Sequence, residues 1–323
     1  MGRKYLRPRI WIYLALAALL LALPWIVTGR YGIYLATMVG IFVILVISLN
    51  LVFGFTGQIS LAHGAFYGIG AYTCGILQVR GILPFWPALV VAILFTGIIG
   101  ILVGIPMLRT RGPYFAIGTM CLGIIVSLVL LNWQSLTGGT SLGGIAGPGR
   151  MNIGGWEIDF LSSKTYYYLV LIFDALSLFL IYRLIHSRIG RALIAIREEE
   201  ELAESIGVNP MKFKVLSFGI AAMFAGLGGG LYAGYMGAID PDIASVGTSF
   251  NLLVMVLMGG AGTIMGSIVG PILLWMIPEW LQAAQQYRPL IFGFILLLII
   301  IFMPRGIVGW VRGLHPKISD WIP

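Results

Sequence analysis

The chain has 323 residues, of which 59% are hydrophobic and only 10% are charged, and its formal net charge is +8. A soluble domain carries about 25% charged residues, so this deficit excludes a soluble protein and indicates a polytopic membrane protein. Net positive charge is also typical of nucleic-acid-binding proteins, but basic residues concentrated on one side of a membrane explain it better here. Cys74 and Cys121 lie far apart in apolar runs, which gives neither a disulfide framework nor metal-ligand spacing.

Apolar runs between charges and helix breakers predict ten membrane-spanning helices. The first run follows a basic N-terminal segment and is interpreted as a retained signal anchor, because it is long enough to span and lacks a small-x-small cleavage site. The eighth and ninth runs are short and separated by glycines, so one kinked helix or a re-entrant pair is the alternative there. The ten predicted spans are 10–28, 32–53, 60–79, 84–105, 113–132, 166–185, 215–236, 246–260, 263–278 and 288–304.

The distribution of basic residues favours ten crossings with both termini in the cytosol. Ten crossings place 15 of the 20 Lys and Arg residues inside and 5 outside, whereas merging 246–278 into one span gives 13 and 7. On this topology the whole chain, 1–323, is a single transmembrane domain with an extracytoplasmic loop at 133–165 and a cytosolic loop at 186–214. The outer loop is rich in glycine and predicts one hairpin around residues 152–155. It is either a plain connector or a docking surface for an external partner, since it is longer than a connection requires.

A glycine-rich break follows an apolar helix twice. Asn50-Leu51 precedes the break at 54–59, and Asn251-Leu252 precedes the break at 259–264. These echoes predict a weak internal repeat, and the discontinuous helices of transporters with two related halves often line the transport pathway.

The loop 186–214 is the longest densely charged segment of the chain. Apolar residues alternate with arginines at helical spacing over 188–197, and 198–204 places acids at the start of a second helix, where the helix dipole favours them. Gly207 ends this helix and Asn209-Pro210 forces a turn, so the loop predicts two short helices joined by a tight bend. One interpretation is a solvated linker. The other is an interaction surface, because an apolar face on the first helix needs a partner surface; that face comprises Ile189, Leu193, Ile194 and Ile196.

Several sequence blocks, in order, resemble the LivM-type permease subunits of branched-chain amino-acid ABC importers. Glu201-Leu202-Ala203 followed by Gly207 is similar to the E-A-A-x-x-x-G coupling loop of ABC importer permeases, with Leu202 in place of the first Ala. The resemblance covers most of the chain. The other blocks are 57–61 (GQISL), 63–66 (HGAF), 68–72 (GIGAY), 111–112 (RG), 114–117 (YFAI), 136–139 (LTGG) and 187–193 (SRIGRAL).

The resemblance implies an all-α helical bundle of about ten spans, like the type II ABC importer permeases, in a bacterial or archaeal inner membrane. It implies that the loop docks in a groove of a separate ATPase subunit. The partners it implies are a related, LivH-like second permease subunit, two ABC ATPase subunits and an extracytoplasmic solute-binding protein. The residues expected to couple to the ATPase are Arg197, Glu198, Glu201, Ala203, Glu204, Ser205 and Gly207.

The chain has no G-x-x-x-x-G-K-[ST] phosphate loop, so it does not bind ATP by that route. It is therefore expected to be a non-catalytic subunit that binds no cofactor, with ATP hydrolysed by its partners. Nucleic acid is not an expected partner.

The glycine-rich stretch 54–70 contains polar side chains, which are costly in a membrane unless they are paired or face a cavity. Close helix packing is one interpretation of its glycines, and a translocation path or gate is the other. The candidate path residues are Gly57, Gln58, Ser60, His63, Gly64 and Gly68.

Asp174 is an isolated acid in a predicted span and is either a functional residue or an interior group. As an interior group it would be protonated or hydrogen-bonded to a hydroxyl of Tyr166, Tyr167 or Tyr168. Two other functions remain open. One is an importer subunit for urea or short amides, and the other is an ion-coupled secondary carrier that uses Asp174 and His63 and transports without an ATPase.

Overall fold

The computed structural model of the chain describes residues 20–25, 29–110, 112–153, 156–160, 162–280, 293, 297 and 306–314. Most of these residues are helical, including residues 20–25. The numbered helices are α1 (Arg30–Asn50), α2 (His63–Val79), α3 (Phe85–Met107), α4 (Pro113–Asn132), α5 (Gln134–Thr137), α6 (Ser163–Ile185), α7 (Arg188–Glu198), α8 (Glu200–Ser205), α9 (Pro210–Met236), α10 (Val246–Gly259), α11 (Ile264–Trp280) and α12 (Gly306–Leu314). A π-helical turn, Leu51–Phe55, extends α1, and a 3₁₀ turn, Pro241–Ala244, precedes α10.

Five helices in the described ranges are long and apolar enough to cross a membrane, or six if α10 and α11 count as one broken span. The chain is thus a multi-pass membrane protein. The predicted spans 32–53, 84–105, 113–132, 166–185 and 215–236 coincide with α1, α3, α4, α6 and α9. The predicted span 60–79 forms the 17-residue helix α2. The predicted spans 10–28 and 288–304 lie almost entirely outside the described residues.

The pair α10 and α11 bends by 118°, so the chain turns back at the glycine-rich break rather than continuing as one kinked helix. Gly260 and Gly262 make this turn with φ angles of +120° and +74°, which side chains other than glycine rarely adopt. At about 1.5 Å per residue, the 14 residues of α10 rise only about 21 Å, less than a bilayer core of about 30 Å. Helix α10, which ends at this break, is therefore too short to cross the membrane core by itself.

Helix α9 is the centre of the bundle and packs against α1, α2 and α3. Its glycine run permits this, because a Cβ on Gly226 would lie 2.8 Å from Thr96 on α3 and a Cβ on Gly228 would lie 2.8 Å from Leu45 on α1. Small residues let helix backbones approach closely in a membrane. Phe218 on α9 adds edge-on ring contacts to Phe66 and Phe115, at centroid distances of 5.3 and 5.9 Å.

Four short strands depart from the all-α expectation. Strands β2 (Arg150–Ile153) and β3 (Trp156–Asp159) pair antiparallel, which confirms the predicted hairpin. Strand β1 (Leu142–Gly143) pairs with β4 (Ala238–Ile239) just beyond the C-terminal end of α9. The described part of the segment 133–165 therefore lies at the end of the bundle opposite the loop 186–214, where α9 begins.

Candidate functional site

The first short helix of the loop, α7, is held against the chain's own bundle. The Ser187 Oγ caps its N-terminus by accepting hydrogen bonds from the backbone N–H groups of Ile189 and Gly190, at 3.1 and 3.4 Å. Leu193 and Ile196 are buried, and the predicted apolar face packs on the hydrophobic core. The partner surface that this face requires is therefore supplied by the chain itself.

The second short helix, α8, begins with acids and ends at Gly207, as predicted. Glu200 and Glu201 occupy its first turn, where the helix dipole favours negative charge. Gly207 has a φ of +87° and its N–H donates to Glu204 O, while Val208 N–H donates to Ala203 O. This pair of hydrogen bonds is a Schellman cap, which requires the left-handed conformation at its glycine.

The outward face of α8 carries the exposed apolar residues of the loop. Leu202 is 63% exposed and Ile206 is 72% exposed, and they lie four residues apart on one face of the turn. Ala203 points the opposite way and is buried against the chain. The Ser205 Oγ donates only to Leu202 O, so it stabilises α8 locally. We call Leu202 and Ile206 the apolar pair.

A near-buried ion pair joins α8 to α9. Lys214 Nζ lies 2.7 Å from Glu200 Oε2, with the lysine side chain 4% exposed and the glutamate side chain 28% exposed. Both line a cavity of about 590 Å³ that also includes Arg109, Glu204 and Gly207. The turn after α3 therefore lies beside the loop, at the same end of the bundle.

Arg197, in the last turn of α7, points inward to the break after α1. Its Nη1 donates a 2.6 Å hydrogen bond to Gly54 O, a carbonyl in the π-helical turn. Glu198 holds the other side of the guanidinium, with Oε1 at 3.2 Å from Nε and 2.5 Å from Nη2. The surrounding glycines leave no room for larger residues, since a Cβ on Gly57 would lie 2.8 Å from Arg197 Cγ and one on Gly262 would lie 3.0 Å from Nη1.

Asn50 ties the two glycine-rich breaks together. Its Nδ2 donates to Thr263 O and to Ser267 Oγ, and its Oδ1 accepts from Gly262 N–H, each at 2.8 Å. A Cβ on Gly54 would overlap the Gly262 backbone nitrogen, so the two breaks touch. Asn251 precedes the second break as Asn50 precedes the first, but it is exposed and does not occupy an equivalent buried position.

The candidate path residues divide into a surface group and a packed group. Gly57 is exposed and Gln58 is partly exposed, beside Arg197. Ser60, His63, Gly64 and Gly68 are buried, and Gly64 N–H donates to Ser249 Oγ at 2.9 Å. A Cβ on Gly68 would lie 2.5 Å from the Ala244 side chain, so this glycine allows the turn before α10 to pack on α2.

His63 and Asp174 are not hydrogen-bonded to each other. Within the described residues, neither ring nitrogen of His63 has a hydrogen-bond partner, and neither does Asp174 Oδ1. The tyrosine hydroxyls do not bond to Asp174, because Tyr166 donates to Leu231 O, Tyr167 to Leu20 O and Tyr168 to Leu21 O. Asp174 instead packs against Gly40 on α1. The predicted bond is wrong because Tyr167 is seven residues away, about 10 Å along a helix.

Comparison with known proteins matches residues 31–304 to a family described as "Branched-chain amino acid transport system / permease component". The chain belongs to this family. It is 35% identical to the LivM permease protein of Salmonella typhimurium, described as high-affinity branched-chain amino acid transport, over 92% of this chain and 75% of that protein. It is 30% identical to the LivH permease protein of Escherichia coli K12, over 83% of this chain and 91% of that protein. A probable LivM permease of Methanocaldococcus jannaschii is 24% identical. No solved structure matches the chain.

Similarity to both LivM and LivH proteins means that two kinds of permease chain share this family's sequence pattern. Sequence reasoning found the loop, its two helices and Gly207. It missed the role of Asn50, which was noted only as part of a repeat, and it missed the inward direction of Arg197. Nothing local marks either residue, since their partners lie 213 and 143 positions away.

Proposed function

We propose that the chain is the transmembrane permease subunit of an ATP-driven importer for branched-chain amino acids. The loop 186–214 carries this proposal. It presents a short helix with an exposed apolar pair and adjacent acids, ended by a glycine cap, at the place where the family's E-A-A-x-x-x-G motif falls. Family membership supports the transport role, and the names of the relatives support the substrate class.

In this proposal the apolar pair and the acids Glu201 and Glu204 dock in a groove of an ABC ATPase subunit. A groove that accepts them would have an apolar floor and basic residues at its rim, because it must cover two large apolar side chains beside negative charge. Closure of the ATPase subunits on ATP pulls the loop, and the permease alternates between outward and inward openings. The chain itself binds no cofactor and catalyses no reaction.

The remaining assembly follows the same family pattern. The chain would have about ten spans in a type II arrangement, with both termini in the cytosol. Its partners would be a LivH-like second permease subunit, two ATPase subunits and an extracytoplasmic solute-binding protein that docks at the end carrying the 133–165 segment. The ends of the bundle support this assignment, because the loop 186–214 and the 133–165 segment lie at opposite ends.

The test is co-purification from the native membrane, followed by reconstitution of the complex into vesicles with ATP. Leu202→Glu and Ile206→Glu together should detach the ATPase, because two carboxylates would replace the apolar contact. Arg188→Glu is the matched control, since it places an acid at an exposed position of α7 in the same loop. ATPase binding that survives the double change would contradict the docking surface. Uptake by the chain alone, abolished by an uncoupler, would replace the proposal with the ion-coupled carrier. A urea- or amide-binding partner would reassign the substrate.

A further inference from the structure

The loop and the two breaks are in direct contact through one side chain. Arg197 belongs to the loop by its backbone, while its guanidinium bonds to Gly54 O in the first break and lies against Gly262 in the second. Breaking a helix leaves carbonyls without their usual intrahelical donors, and a charged donor is a strong substitute. Arg197 therefore supplies a hydrogen bond that the π-helical turn cannot supply for itself.

The breaks form one unit that such a side chain can move. Asn50 cross-links them with three hydrogen bonds, and Gly54 touches the Gly262 backbone, so neither break shifts without the other. The exposed residues Gly57 and Ile59 lie in the first break, shortly before α2, and α11 begins at the end of the second. A displacement of this unit changes the direction of the chain entering α2 and α11 together.

The arginine is clamped rather than free. Glu198 makes two contacts to the guanidinium from the loop side. Gly57 packs closely on the other side, since a Cβ added to it would lie 3.5 Å from both the Cα and the Cβ of Arg197. The side chain is only 35% exposed. It cannot swing away toward a docked partner without losing the bond to Gly54 O, so its place is in the permease.

We infer that Arg197 is the positioning residue that transmits movement of the loop to the paired helix breaks, and that it does not contact the ATPase. This inference rests on the proposed function, because it presumes that a partner moves the loop. It assigns docking to the apolar pair on α8 and transmission to Arg197 on α7. The family resemblance implies that Arg197 is one of the residues that couple to the ATPase, and its bond to Gly54 O supports a task distinct from docking.

The inference is tested in the reconstituted importer with Arg197→Met, which keeps an apolar stem and removes the charged donor. Arg191→Met is the matched control, an exposed arginine on the same helix. We expect Arg197→Met to co-purify with the ATPase at the wild-type level and to hydrolyse ATP. Uptake per ATP should fall about tenfold or more, which corresponds to about 1.4 kcal/mol of lost coupling free energy.

A second readout reports on the break itself. Ile59→Cys, with Cys121→Ser to remove the exposed native thiol, places a label in the first break, while Cys74 is buried. The labelling rate of this cysteine should change when ATP is added to the protein that keeps Arg197. It should not change in the protein that also carries Arg197→Met. Arg197→Lys, which keeps the charge but has a shorter reach, should restore part of both effects and serves if the methionine variant does not assemble.

Two results would overturn the inference. One is loss of ATPase binding in Arg197→Met, which would make Arg197 a docking residue. The other is uptake per ATP within twofold of wild type with an unchanged labelling response. Failure of the wild-type complex to bind an ATPase or to import with ATP would instead reject the proposed function, so the two failures are distinguishable.

Discussion

Replacing Asn50 should destabilise the protein more than its small size suggests, because this buried side chain joins two segments more than 200 positions apart. We take Asn50→Leu as the perturbation, since leucine has a similar size and removes both the donor and the acceptor of the side-chain amide. The change eliminates three hydrogen bonds of 2.8 Å, to Gly262 N–H, Thr263 O and Ser267 Oγ.

The expected loss in the free energy of unfolding depends on which hydrogen bonds the three partners of Asn50 keep after the change. Ser267 Oγ and Thr263 O retain a 3.4 Å hydrogen bond with each other, so each loses only a typical hydrogen bond, about 1 kcal/mol. Gly262 N–H faces the buried side chain and is left without an acceptor, which costs about 1–3 kcal/mol. The sum is a loss of about 3–5 kcal/mol in the free energy of unfolding, a large fraction of a typical total of about 5–15 kcal/mol.

The assay is equilibrium unfolding by titration of sodium dodecyl sulfate into mixed micelles, which compares the free energy of unfolding directly. Asn132→Leu is the matched control. Asn132 Nδ2 also donates a 2.8 Å hydrogen bond, but to Leu128 O four residues earlier on the exposed side of α4, and we expect a change within about 0.5 kcal/mol. Equal losses for the two variants would refute the reasoning, because they would show that losing any asparagine hydrogen bond costs as much as losing the link between the breaks.

Two further changes test the geometry of the loop. Glu200→Gln should destabilise the protein more than Lys214→Met, because the first leaves a lysine that is 4% exposed without its partner charge, whereas the second leaves a carboxylate that is 28% exposed and can meet water. The same unfolding titration measures both, and equal losses would contradict the assignment of burial to the lysine. Gly207→Ala should lower the free energy of unfolding by about 1–2 kcal/mol, because alanine is strained at the left-handed φ of +87°. Steric overlap adds nothing to this loss, since a Cβ there meets no atom within 4 Å. Gly143→Ala, which also meets no atom and has no positive φ, should cost less, and a cost as large as that of Gly207→Ala would argue against conformational strain.

The apolar runs predicted the helices of the described bundle well, because a span must be a continuous apolar stretch of sufficient length. The runs at 84–105 and 113–132 became α3 and α4 almost without shift. The short runs at 246–260 and 263–278 could not be resolved from composition. Their arrangement depends on the positive φ angles of Gly260 and Gly262, and a glycine in sequence permits such an angle without requiring it.

The loop was predictable for a similar reason, since caps and helix ends are local. Ser187, Gly207 and Asn209 sit at the ends that their residue types favour. The sequence could not show which surface each helix face packs against. The apolar residues of α7 could equally have met a partner or the chain itself, and only the packing of Leu193 and Ile196 shows that they meet the chain.

The contacts of Arg197 could not be predicted for a different reason. A charged residue in a loop between membrane spans is expected in water, and nothing in 186–214 indicates that this arginine bonds to a carbonyl 143 positions earlier. The glycines around it are the one signal, since Gly54, Gly57 and Gly262 leave space for a long side chain from elsewhere. Sequence spacing does not say which residue fills that space.

The measurement that tests the central claim most directly is uptake of radiolabelled leucine by vesicles that contain the chain with its co-purified partners. With the solute-binding protein outside and ATP inside, we predict uptake that stops without ATP, persists with a proton uncoupler, and is lost when Leu202 and Ile206 are both changed to glutamate. Uptake by the purified chain alone, or uptake that persists without ATP and stops with the uncoupler, would contradict the account.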